Sequence, residues 1–232
     1  MTDTPPRRRK RRPILTALLV LAALPIGGVL MHTLAPPPLT LLMAREFVAG
    51  HGLDYRWRSL DQISPHLVAS AIAAEDARFC SHGGFDMQAI ERALKNNENG
   101  RKVRGGSTIS QQTAKNVFLW PGRDWVRKGL EAGYTLMIET VWSKRRIMEV
   151  YLNVAEMGPG VYGAEAAARH WFGKSAADLT PREAARIAAI LPSPRRYSAG
   201  SPGPYVRRRA SRVQASARVV RNEGLAACVL AP

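Results

Sequence analysis

Cysteine is almost missing from this chain. Cys80 and Cys228 are the two thiols in 232 residues. They give no metal-ligand spacing and no disulfide framework. The sequence places no constraint on their separation, so whether they pair in an oxidising compartment stays open. Acidic residues are also scarce, 18 against 34 lysines and arginines, and the formal net charge is +16. That excess is uneven. Residues 1–12 carry a net +5 and residues 195–232 a net +7, so the middle is only mildly basic. This argues against nucleic acid as the partner of the whole protein. It favours two local patches that meet anionic lipid or an anionic substrate. Internal repeats are absent and strand signals are weak. No carboxylate and histidine cluster suggests a tight metal, no cofactor is required, and a loosely held divalent cation such as magnesium remains open.

What is present begins with one long apolar run. Residues 14–35, ILTALLVLAALPIGGVLMHTLA, hold no formal charge with His32 neutral. As a helix these residues reach ~33 Å, enough for a ~30 Å hydrocarbon core. Pro25, Gly27 and Gly28 are tolerated in such a helix. Six basic residues between Arg7 and Arg12 precede it, and the next charge is Arg45. The positive-inside rule then places residues 1–13 in the cytoplasm and the chain after 35 outside. A cleaved signal peptide is the rival. The run is long for one, and Pro36, Pro37 and Pro38 after Ala35 make a poor cleavage context. The prolines suggest a stiff spacer, with 36–59 linking to a domain over 60–232.

The remainder reads as mainly α. Ser64 and Pro65 open a helix whose apolar spacing runs to Phe79. Further helices are expected over 86–94, from Ser107 or Thr108 to Leu119, over 124–142, 144–152 and 164–171, and from the Thr180-Pro181-Glu183 capping box to Leu191. Val206, Ala210, Val213, Ala217 and Val220 mark a last helix that Gly224 closes. Residues 95–106 read as a mobile loop and 153–163 as another loop, with one short hairpin possible somewhere in the domain.

Three segments carry candidate chemistry. Val68, Ile72, Glu75 and Phe79 fall at helical spacing, so Glu75 lies on the apolar stripe. Desolvation there raises the basicity of a carboxylate, which suits a general base. The plain alternative is a glutamate at the rim of the stripe. Gly105-Gly106-Ser107-Thr108 opens a helix, and free N–H groups at such a start bind phosphate. Lys115 is displayed on that helix beside Thr108 and Gln111. An ordinary capped helix with a solvated lysine is the alternative. The pattern is not a P-loop, because no Lys-Ser/Thr pair follows a glycine. Finally, Arg127 and Glu131 sit at i,i+4, with Arg123 one turn back and Lys128 between. A surface ion pair is the bland account. Two carboxylates with nearby cations suit sugar transfer from a diphosphate leaving group.

Taken with two later stretches, these segments resemble glycosyltransferase family 51. The matching text is AIAAEDARFCSHGGFD (71–86), GGSTISQQTAKN (105–116), RKGLE (127–131), KRRIMEVYLN (144–153) and YGAEAAARHWFGKSAADLTPREAARIAAILPSPRRYS (162–198). The monofunctional type of peptidoglycan transglycosylase is implied. So is a lysozyme-like, two-lobed, mainly α domain behind a single transmembrane helix, with a mobile lobe near the membrane. The substrates implied are lipid II and the growing glycan strand. Glu75 would be the general base and Glu131 would support the leaving-group or acceptor side. Lys115 and Arg123 would contact the diphosphate. Ser107, Thr108, Gln111, Gln112, Asn116, Arg127 and Lys128 would line the groove, some only structurally. Asp76, Phe79, His82, Gly84 and Asp86 complete the first motif, with Asp76 and His82 holding its loop. The resemblance implies an inner-membrane protein with a periplasmic catalytic domain, near lipid and other cell-wall synthesis and division proteins. Two rivals stand beside it: a lysozyme-like enzyme that cleaves peptidoglycan, and a membrane-tethered scaffold built on the arginine-rich C-terminal helix.

Overall fold

A computed structural model of the chain describes residues 11–91, 106–122 and 124–230, without the side chains of 11–15, 18, 19, 21 and 22. Helices dominate it. In chain order they are α1 (Arg11–Met31), α2 (Leu41–Val48), α3 (Pro65–Glu75), α4 (Ile109–Phe118), α5 (Trp125–Val141), α6 (Lys144–Val154), α7 (Gly163–Phe172), α8 (Pro181–Ile190), α9 (Pro204–Asn222) and α10 (Ala227–Leu230). Residues 87–91 are also helical, and the rest of the expected 86–94 helix and 95–105 of the loop lie outside the described residues.

Local chemistry explains most helix ends. The Ser64 hydroxyl accepts from His66 N, and Pro65 occupies the first turn, where a missing N–H costs nothing. Thr180 and Glu183 close a reciprocal capping box at α8. Gly224 takes a positive φ after α9, and Leu225 N returns to Val220 O. One boundary departs from the sequence reading. The apolar spacing carries a helix to Phe79, but α3 stops at Glu75. Asp76 turns extended, and its carboxylate is taken by His82 and by Ile109 N at the start of α4. Phe79 is still fully buried, from a separate 3-10 turn over Phe79–Ser81.

The segment 153–163, read as a loop, holds a hairpin. β2 (Glu156–Gly158) pairs antiparallel with β3 (Val161–Tyr162) across a bulge, and β1 (Asp54–Tyr55) adds parallel to β3. Gly160 has φ +69, and a Cβ there would meet His51 O at 2.2 Å, so glycine alone fits.

One group of helices joins α3, α8 and α9, and another joins α4, α5 and α6. A continuous core runs through both and includes Val68 and Ile72 of α3 with Ile109, Ile147 and Tyr151. Buried alanines line the packed faces of α7, which lies on α6, and of α8, which lies on α3 and α9. Cys80 and Cys228 form a disulfide across 148 positions, with their Cα atoms 5.7 Å apart. It ties the turn after α3 to α10.

Among the described residues no helix is long and apolar enough to cross a membrane. The C-terminal end of α1 packs on α5. The Trp142 indole donates to Val29 O at 2.9 Å, and Arg146 donates to His32 O and Ala35 O. The Tyr55 hydroxyl donates to Pro37 O at 2.6 Å. The chain at Ala35 and Pro37 is therefore fastened to the domain.

Candidate active site

Glu75 ends α3 at the wall of an open cleft of about 750 Å³, lined also by Asp76, Arg78, Ser107 and Thr108. Its side chain is 13% exposed. Gln112 of α4 donates to its Oε2 at 3.0 Å, whereas its Oε1 is buried with no hydrogen-bond partner. Burial pushes the Glu75 carboxyl above its ordinary range, against the lowering pull of the Gln112 hydrogen bond, Arg209 and Lys115. The stripe argument places this carboxylate correctly, although the helix ends at it.

The loop after Glu75 is built around Asp76. Its Oδ1 lies 2.8 Å from His82 Nε2, and its Oδ2 accepts from Ile109 N at 3.0 Å. Gly84 N donates to His82 Nδ1 at 3.1 Å, which leaves Nε2 to carry the proton toward Asp76. Asp86 receives Arg78 and also Ala89 N, and that arginine holds its carboxyl down at about 2. Phe79 lies under the Lys144 ammonium, 4.6 Å from the ring centre. Gly84 has φ +92, and its missing Cβ would meet Thr135 Cγ2 at 2.7 Å.

The start of α4 is a capped helix N-terminus. Thr108 accepts from Gln111 N, and the Gln111 carbonyl accepts from Thr108 N. Thr108 also donates to Gly84 O at 2.6 Å, and Ile109 N is used by Asp76. The N–H groups of Thr108, Ile109 and Gln111 are thus satisfied within the protein. Thr108 and Gln111 are held in this capping box, with Thr108 at the cleft; Ser107 stays exposed there, and Asn116 is buried on α4.

Lys115 is not the solvated lysine of the plain alternative. It is half-buried, and burial lowers its pKa from the usual lysine range despite the pull of Glu131 and Glu75. Nor are Arg127 and Glu131 a surface pair. Glu131 is 3% exposed, and Arg127 Nη1 donates to its Oε2 at 2.9 Å. Lys128 closes on the other carboxylate oxygen, and Asp124 caps α5 by accepting from Arg127 N. The Glu131 carboxylate is thus held by two cations, and the Arg127 Nε is left buried without a partner. Arg123 lies outside the described residues. Among the described residues no three His, Cys, Asp or Glu side chains group as metal ligands.

One neighbour escapes the sequence reading. Arg209 of α9 reaches within 3.6 Å of Glu75 Oε1. Its signal was its place on the helix, three after Val206 and four before Val213, at the flank of the buried stripe.

Residues 44–218 match the family described as Transglycosylase. The chain belongs to that family. Relatives named biosynthetic peptidoglycan transglycosylase cover it almost end to end. The one from Caulobacter vibrioides is 57% identical over 96% of this chain and 97% of its own length. The one from Rhodospirillum centenum is 53% identical over 97% of each. One from Xanthomonas campestris is 54% identical over 95% of this chain and 93% of its own. At the wall of this transglycosylase cleft stands a carboxylate with one buried oxygen that takes no hydrogen bond. Lys115 and the Arg127–Lys128–Glu131 group stand on neighbouring helices.

Proposed function

We propose that this transglycosylase is a peptidoglycan glycosyltransferase that polymerises lipid II into β-1,4 glycan strands. The observation that carries this reading is the free, buried Oε1 of Glu75 at the cleft wall, with a desolvated lysine acting on it from α4. The Glu75 carboxylate takes the proton of the 4-hydroxyl on the incoming lipid II. The oxygen electron pair forms the bond to the anomeric carbon of the growing strand. The bond from that carbon to undecaprenyl diphosphate breaks, and its electron pair leaves on the phosphate oxygen. Lys115 and Arg123 meet that charge, and Glu131 holds Arg127 and Lys128 in place around it. One carboxylate acting on the nucleophile gives direct displacement with inversion.

A positioned base contributes ~10²–10⁴-fold. Glu75→Gln should lose that much strand synthesis from purified lipid II while keeping its fold. Near wild-type synthesis by the folded variant would end the assignment. A peptidoglycan-cleaving enzyme needs no clamp for a diphosphate. Release of short muropeptides from finished glycan would favour that rival.

The same proposal sets the chain in the inner membrane with its catalytic domain outside. The uncharged run 14–35 behind a basic tail supports this. So do large apolar side chains left bare on the domain, among them Val48 at 86% and Trp125 at 91% exposure. Carbonate extraction of bacterial membranes should leave the protein in the pellet. Recovery in the soluble fraction would count against the anchor.

A further inference from the structure

Arg209 is the one described cation that forms an ion pair with Glu75 within 4 Å. Helix α9 packs along α3 through Val206, Ala210 and Val213, and this sets the guanidinium beside the end of α3. Arg207, Arg208 and Arg212 on the same helix are exposed, whereas the Arg209 side chain is 24% exposed. The separation of 3.6 Å is too long for a hydrogen bond and short enough for strong charge attraction. Buried polar atoms normally find partners. Here Glu75 Oε1 and Arg209 Nε both lack one. The pair thus supplies charge without occupying the lone pairs of Oε1.

We propose that Arg209 is a positioning residue for strand polymerisation: it holds Glu75 ionised by charge alone, without a hydrogen bond to the carboxylate. The inference rests on Glu75 being the base. Several groups face that carboxylate. Asp76 follows it on the chain, Gln112 and Lys115 come from α4, and the buried Tyr151 comes from α6. Asp76 is committed to His82 and Ile109 N. The charge of Lys115 is offset once a diphosphate binds beside it. Arg209 is then the cation left to act on Glu75. After the base has taken a proton, the same charge favours its release, which readies Glu75 for the next addition.

The test is the pH profile of lipid II polymerisation by the full chain, for wild type, Arg209→Met, Arg209→Lys and Glu75→Gln. Thermal melts establish that each variant is folded. An opposite charge at this range shifts a carboxylate by ~1–3 pH units, and partial exposure favours the low end. The acid limb of kcat/KM in Arg209→Met should move to higher pH by about one unit or more. Activity should recover in alkaline buffer, and Arg209→Lys should restore the wild-type limb. If Arg209→Met does not fold, Arg209→Gln reads the same limb. An unmoved limb in a folded, uncharged variant overturns the proposal, as does a lysine variant shifted as far as methionine. An active Glu75→Gln would instead overturn the base assignment beneath it.

Discussion

A carboxylate kept for chemistry is a burden on the fold that carries it. Desolvation raises the Glu75 pKa above its ordinary 4.5. A carboxyl with a raised native pKa favours the native state at low pH, and that contribution is lost as pH rises through the native value. Glu75→Gln should therefore melt at a higher temperature than wild type at pH 7, and the gain should shrink as pH falls toward 4.5 and below. Melting curves across that range check it; a variant less stable than wild type at pH 7 would contradict the cost assigned to the charge. The neighbouring Asp86 behaves oppositely. Arg78 holds its carboxyl at about 2, so its contribution is present above the ordinary carboxylate range and lost as pH falls through that value. The sequence made Glu75 legible because periodicity alone puts it on a buried stripe. Arg209 was not legible, because an arginine at the edge of a stripe looks the same whether it snorkels to water or turns inward.

At the level of elements, local signals read well and distant ones did not. Ser64-Pro65 and Thr180-Pro181-Glu183 open helices where expected, since each cap is satisfied within four residues. The end of α3 was misjudged for a physical reason. Phe79 falls four residues after Glu75 and is buried, but a 3-10 turn buries it. What breaks the helix is Asp76, whose partners His82 and Ile109 lie 6 and 33 residues away. The same long-range bond uses one N–H of the helix start at Ile109. Gly84 secures this junction, since Thr108 donates to its carbonyl and Thr135 crowds its Cα. Gly84→Ala combines a left-handed backbone with that clash and should cost ~1–3 kcal/mol of stability. Urea unfolding of the variant against wild type measures it, and a cost near zero would show that the loop relaxes freely.

For the whole molecule, charge distribution and helix content were readable, while the covalent link was not. Two cysteines 148 positions apart carry no sequence hint of proximity. Their bond closes most of the catalytic domain into a loop, and losing such a bond costs ~2–5 kcal/mol. Dithiothreitol, or Cys80→Ser with Cys228→Ser, should lower the melting temperature by several degrees. An identical melt in oxidised and reduced protein would mean the link adds nothing. The seat of α1 has a practical consequence. Val29 is 1% exposed against the domain, and Trp142 spends its indole hydrogen on the Val29 carbonyl. Cutting the chain at residue 36 to obtain a simpler protein would bare that indole and strand its hydrogen. The shortened enzyme would carry a raw sticky scar, and its self-association would say more about the scissors than about the parent.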